Sequence, residues 1–232
     1  MRIIWIATVV LVFFATWFMK ERIKGHSKKD VMLKAMCSAC LLTVGGMALS
    51  MNRTNYGTVL FLGLISGCFG DFFLGLSHLN KEHKRNNMLA GIVDFGLGHV
   101  MYCVAVILAY REYADLLNFI IPVAVAVTFA TLLVVLRKKL GLHFGRYLPA
   151  VLTYVFLLSF SVFLSISLNV AVGWSILQLK IFGLGMLFFI VSDSIISTMY
   201  FGKTGNSPTA VITNHVTYYI AEWLIAFSIL YV

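Results

Sequence analysis

At 232 residues, 60% of them hydrophobic and only 12% charged, the chain departs sharply from a soluble domain, which is about half apolar and a quarter charged. That composition excludes an ordinary soluble enzyme and makes this an integral membrane protein. The formal net charge of +9 invites a nucleic-acid reading, but the placement of the basic residues argues against one.

A span needs roughly 20 apolar residues. Eight segments fit: Ile3–Met19, Val31–Ser50, Gly57–Ser77, Met88–Tyr110, Leu116–Leu136, Pro149–Asn169, Ser175–Met199 and Val211–Tyr231. Backbone amides in lipid must be satisfied within the segment, so these are expected to be helices. The expectation is an all-α polytopic protein with eight transmembrane helices in a single domain over residues 1–232. The first segment has the look of a signal peptide, but it lacks a small-residue cleavage site and runs into a basic loop, which marks an anchor helix.

Lys20, Arg22, Lys24, Lys28, Lys29 and Lys34 fall at the first connection, and Lys81, Lys84 and Arg85 at the third. Arg137, Lys138, Lys139 and Arg146 fall at the fifth, and Lys203 at the seventh. Only Arg2, Arg53, Arg111 and Lys180 lie on the other side. The positive-inside rule then puts both termini outside and the odd-numbered connections in the cytoplasm, against anionic head groups. Membrane lipids are the expected surroundings and nucleic acid is not an expected partner. Short loops and compact size point to a bacterial cytoplasmic membrane; oligomeric state is left open. Cys37, Cys40, Cys68 and Cys103 all fall within spans and read as small apolar packing residues.

Ionisable residues inside a span are costly and by default face the bundle interior, where they mark a site. Here they are Asp71, Asp94, His99, Asp193, His215 and Glu222, with Lys34 near a membrane edge. Asp71 lies six residues before the inner end of the third span and Asp193 six before that of the seventh. At about 1.5 Å per residue both carboxylates sit roughly 9 Å in from the cytoplasmic boundary, in one layer. His99 and Glu222 fall nearer the midplane. Gly63, Gly67 and Gly70 form a small-residue stripe that permits close helix approach, with Asp71 one turn beyond Gly67. His99 and Tyr102 share one face, Tyr154, Ser161 and Ser165 another, and Asn214, Tyr218 and Glu222 a third, flanked by His215 and Tyr219. Lys34 and Ser38 add a fourth. Asp94 is turned about 140° from His99 and reads as a structural or local partner. The many Met and Phe residues read as lipid-facing bulk.

These pieces resemble the YhhN-like membrane family, whose members include the lysoplasmalogenases. "GDFFLG" (Gly70–Gly75), a short basic loop and "FGLGHVMY" (Phe95–Tyr102) resemble its F-x-x-x-H-x-x-Y signature. "LPAVLTYVF" (Leu148–Phe156), "GMLFFIVSDSIIS" (Gly185–Ser197) and "TYYIAEWLIAFS" (Thr217–Ser228) follow in the family's order, and Lys34 matches a lysine opening its second helix. Three departures stand out: Glu222 in place of the usual glutamine, Ala35 in place of a proline after Lys34, and an added acid at Asp94.

The resemblance implies eight helices and hydrolysis of the vinyl ether of a lysoplasmalogen, a lysophospholipid, to a fatty aldehyde and a glycerophospho-alcohol. Such a bond is activated by protonation at carbon. A protonated acid, a base for water and a negative charge near the cation are therefore needed. Two carboxyls in low dielectric supply all three by sharing one proton. The expectation is that Asp71 and Asp193 form that catalytic pair, and that Asp71 needs no basic neighbour because Asp193 is its partner. His99 and Tyr102 would orient water or the glycerol hydroxyl, with Tyr154, Asn214, Tyr218 and Glu222 lining the site, while Lys34 and the basic cytoplasmic loops would draw the phosphate. No cofactor and no metal are expected. Open alternatives are a zinc hydrolase using His99, His215, Asp71 and Asp193, a lipid or proton-coupled transporter, and a non-catalytic lysolipid-binding protein.

Overall fold

The computed structural model describes residues 1–80, 82–202, 205 and 207–231. Two of the basic residues used for the topology, Lys81 and Lys203, lie outside the described residues. Eight α-helices follow one another in it: α1 (Arg2–Lys24), α2 (Lys28–Met51), α3 (Asn55–Leu79), α4 (Lys84–Tyr110), α5 (Leu117–Leu136), α6 (Leu148–Ala171), α7 (Leu177–Phe201) and α8 (Pro208–Ser228). Each overlaps one expected segment, with ends a few residues apart. Seven of them, α1 to α7, are long and apolar enough to cross a membrane. The expected eighth span differs: α8 carries Asn214, His215 and Glu222, all buried, and this polarity takes it out of the apolar set.

Helix ends follow local chemistry. Ser27 caps α2 in a reciprocal box, its hydroxyl accepting from the Asp30 amide while the Asp30 carboxylate accepts from the Ser27 amide. Asp30 also pairs with Arg22 across the α1–α2 turn at 3.2 Å, both side chains being buried. The turn passes through Gly25 at φ 131°, a backbone conformation open to glycine. Thr54 and Ser207 cap α3 and α8, and Pro208 begins α8 where no amide hydrogen is needed.

The packing places α8 inside. It lies against α1, α2, α3 and α7, whereas α5 leans on α6 and leaves most of its surface exposed. One stripe of α1 is buried at helical spacing, Ile4, Ala7, Leu11, Ala15, Phe18 and Arg22. The closest pairing is α3 with α4, and the glycine stripe explains it. A β-carbon on Gly98 would sit 3.2 Å from the Gly63 carbonyl oxygen, and one on Gly63 would sit 2.5 Å from the Tyr102 ring. One on Gly70 would meet the Phe95 ring at 2.7 Å. Backbones approach where side chains are missing, and dispersion contacts rather than water exclusion hold them together in lipid.

The connections α1–α2, α3–α4 and α5–α6 come together at one end of the bundle with the end of α7. His26 stacks on His78 at 3.5 Å, and the His143 amide donates to the Phe201 carbonyl at 2.8 Å. This is the end that carries most of the basic residues.

Candidate functional site

The buried acids fall into three settings. In the first, α2 offers Lys34 and Ser38, one turn apart, to Asp71 on α3. Lys34 Nζ lies 2.8 Å from Asp71 Oδ1. The hydroxyls of Ser38 and of Tyr218 on α8 each donate to Asp71 Oδ2 at 2.9 Å. The Lys34 ammonium also lies 5.8 Å from the centroid of the Tyr218 ring. A carboxylate removed from water is thus met by one cation and two hydroxyls, the form in which a buried charge is tolerated.

This corrects one sequence expectation about partners. Asp71 has a basic neighbour, 37 positions earlier in the chain, which only the packing of α2 on α3 reveals. Lys34 is buried and paired with Asp71.

In the second setting, Asp193 on α7 is hydrogen-bonded to the hydroxyl of Tyr154 on α6. That hydroxyl lies 3.3 Å from His99 Nε2 on α4, and His99 Nδ1 lies 3.1 Å from Ser161 Oγ, back on α6. The Ser161 hydroxyl donates to the Leu158 carbonyl at 2.8 Å. Its hydrogen is therefore spent, so His99 Nδ1 carries a hydrogen and donates to Ser161, and in the neutral ring Nε2 is the acceptor facing Tyr154. No hydrogen bond joins Asp71 to Asp193 among the described residues, yet both line the same cavity.

In the third, Glu222 on α8 receives the Tyr102 hydroxyl at 3.4 Å and 3.5 Å on its two oxygens. The absence of a side chain on Gly67 makes room for it: a β-carbon there would lie 3.4 Å from Glu222 Oε1. Neither Glu222 nor Tyr102 lines the cavity; they sit behind it in the α3–α4–α8 contact.

The cavity has a volume of about 480 Å³. Its polar end holds Lys34, Asp71, Tyr154, Asp193 and Tyr218, joined by Asn214 and His215. Asn214 spends its amide hydrogens on the carbonyl and hydroxyl of Ser192, tying α7 to α8. His215 donates Nδ1–H to the Val211 carbonyl at 2.8 Å, which leaves Nε2 as its free acceptor. The rest of the wall is largely apolar, with Phe95, Leu158 and, on α5, Leu132, Leu133 and Leu136, interrupted by Ser159 on α6 and by Ser192, Ser194, Ser197 and Thr198 on α7. Since Leu132 and Leu136 are also exposed on the outer surface, the apolar wall runs out to the lipid-facing side.

The apolar wall was invisible in the sequence. Met88, Phe95 and Phe129 line the cavity, although Met and Phe abundance reads as bulk. Ser38 is the other addition; its spacing from Lys34 put it on the right face, but only the fold shows it bound to Asp71. Asp94 does not line the cavity, and its backbone carbonyl accepts from Ser66. Among the described residues no three His, Cys, Asp or Glu side chains converge as metal ligands; His99 and His215 have their Nδ1–H bonds committed to separate partners on different helices.

Buried, partnered acids at the head of an apolar cavity within a helical bundle define an integral membrane protein with an intramembrane polar site. The YhhN family matches residues 29–229, and the chain belongs to that family. No curated protein and no solved structure matches the chain.

Proposed function

We propose that this protein is an intramembrane hydrolase that cleaves the vinyl ether of a lysoplasmalogen, with Asp193 as acid and the Asp71–Lys34 pair beside it. The proposed orientation sets both termini outside and the basic end in the cytoplasm, so the cavity takes a single-chain lipid from the inner leaflet. Family membership supports the reaction class. The observation that carries the residue assignment is that Asp71 and Asp193, on helices three and seven, line one cavity whose wall away from the polar end is largely apolar.

Counting hydrogens supports that role for Asp193. Tyr154 has one hydroxyl hydrogen and two neighbours that would accept it, Asp193 and His99 Nε2. All bonds close without any charge when Asp193 holds a proton and donates it to Tyr154, while Tyr154 donates to His99. A neutral chain of this kind suits an apolar interior better than an imidazolium–carboxylate pair. Asp193 is then a carboxylic acid held ready.

In the proposed reaction that proton goes to the β-carbon of the vinyl ether, whose double-bond electrons form the new C–H bond. The ether oxygen shares the resulting positive charge, and the Asp71 carboxylate lies on the same cavity wall to favour it. The Asp193 carboxylate then takes a proton from water as the water oxygen bonds to the cationic carbon. Asp193 is thereby protonated again. The hemiacetal then collapses, its hydroxyl oxygen forming the aldehyde carbonyl and its hydroxyl proton passing to the departing glycerol oxygen as that C–O bond breaks, which leaves a fatty aldehyde and a glycerophospho-alcohol. A positioned acid–base group of this type contributes about 10²–10⁴-fold.

The test is Asp71→Asn and Asp193→Asn, assayed separately for aldehyde release by purified protein in lipid vesicles. Loss of turnover in both, with normal folding, is expected. Full activity in either overturns the assignment, and a wild-type protein that releases no aldehyde overturns the reaction.

A further inference from the structure

A second pocket of about 450 Å³ opens at the basic end. Lys84 and Arg85 from the start of α4, Arg146 and His143 from the α5–α6 connection, and the stacked His26 and His78 line it, and among the described residues no acidic side chain does. Lys84, Arg85, His143 and Arg146 are exposed, and none of them has an ion-pair partner among the described residues. Of the other acids at this end, Asp30 is paired with Arg22 and Glu21 with Lys24 and Lys29, while Glu82, two residues before Lys84, is exposed and neither lines the pocket nor pairs with its cations among the described residues. Like charges gathered at one concavity without counter-ions repel one another. The arrangement is relieved when an anion enters.

The position of this pocket gives the anion a shape. It shares Met88, Tyr200 and Phe201 with the apolar cavity, so the two are neighbouring compartments along one wall. Cationic side chains sit in the first, and leucines of α5 and carboxyl groups line the second. The pair fits an amphiphile with an anionic head and one hydrocarbon chain. Lys34, committed to Asp71 inside the bundle, is not the residue that reads the head. Two arginines in reach of one pocket suit phosphate, whose oxygens accept their paired N–H groups.

We infer that the pocket formed by Lys84, Arg85, His143 and Arg146 is the phosphate-binding subsite for a single-chain phospholipid whose chain occupies the adjoining apolar cavity. This rests on reading that cavity as a lipid-chain site and not on the vinyl ether reaction.

The test is equilibrium binding of a radiolabelled saturated 1-O-hexadecyl lysophospholipid, which has no vinyl ether to cleave, to the full-length protein in detergent. 1-O-hexadecylglycerol, with the same chain and no phosphate, is measured alongside. The variants are Arg85→Gln/Arg146→Gln and the charge-preserving Arg85→Lys/Arg146→Lys. The glutamine variant is expected to bind the lysophospholipid at least about tenfold more weakly, the loss of a charged hydrogen bond. Binding of hexadecylglycerol should stay unchanged, and the lysine variant should recover part of the loss. Equal lysophospholipid binding by the glutamine variant and wild type overturns the inference, as does a parallel loss of both ligands. Inorganic phosphate serves as competitor: weak displacement is expected, whereas displacement as strong as that by unlabelled lysolipid assigns the pocket to free phosphate and overturns the lipid assignment. Turnover of a vinyl ether substrate by the wild type, measured in parallel, tests the reaction separately.

Discussion

Lys34 Nζ lies 2.8 Å from Asp71 Oδ1 inside a helical bundle, and each is the other's means of staying there. Removing one partner of a buried pair leaves an uncompensated charge, at a cost of about 3–5 kcal/mol. Lys34→Met should therefore lower the thermal unfolding midpoint of the detergent-solubilised protein markedly. Lys34→Met/Asp71→Leu, which removes both charges, should restore most of the loss while remaining inactive. If the single variant melts with the wild type, the pair is not a structural element.

Tyr154 bridges Asp193 and His99 with one oxygen. Tyr154→Phe keeps the ring and its packing and deletes that bridge. Aldehyde release from lysoplasmalogen should fall by about 10²-fold or more, with little change in the unfolding midpoint. His99→Asn, which loses the acceptor facing Tyr154, should fall in the same direction, and the double variant should be no worse than the more damaging single one because the residues act as one unit. Additive losses would show that Tyr154 and His99 work independently.

Glu222 stands where the family resemblance places a glutamine. Its oxygens accept the Tyr102 hydroxyl, and it lies behind the cavity wall rather than on it. A glutamine carbonyl can accept the same hydroxyl without bringing a carboxyl into the α3–α4–α8 contact. Glu222→Gln should keep activity within about twofold and leave stability equal or higher, a neutral replacement for a buried ionisable group being cheap. Abolished aldehyde release by a folded Glu222→Gln protein would place Glu222 in the chemistry.

How much of this was legible in the sequence depends on the range of the signal. Helix existence is local: each apolar run must satisfy its own backbone, so eight segments became eight helices within a few residues at each end. The shared faces of His99 with Tyr102 and of Lys34 with Ser38 are likewise local, set by helical spacing. Partner choice is not. Nothing in the spacing says that α2 packs on α3 with Lys34 beside Asp71, and counting residues from the span ends pointed instead to Asp193. The apolar wall from α5 was hidden for another reason. Lipid-facing and cavity-facing leucines are the same residue to any hydropathy measure, and Leu132 and Leu136 are both at once.

Gly63 tests the glycine stripe that brings α3 to α4. A β-carbon there would come within 2.5 Å of the Tyr102 ring and 3.1 Å of the Gly98 carbonyl oxygen, neither of which can swing away cheaply. Tyr102 is among the most deeply buried large side chains and is held from the far side by Glu222. Gly63→Ala should thus force the helices apart and cost about 1–3 kcal/mol, the usual price of overpacking. The same change at Gly46, where the Phe61 ring at 3.5 Å is the nearest atom group, should be nearly neutral. Paired unfolding curves for Gly63→Ala and Gly46→Ala decide the matter, since equal stability would mean that close approach of α3 and α4 does not depend on the missing side chain.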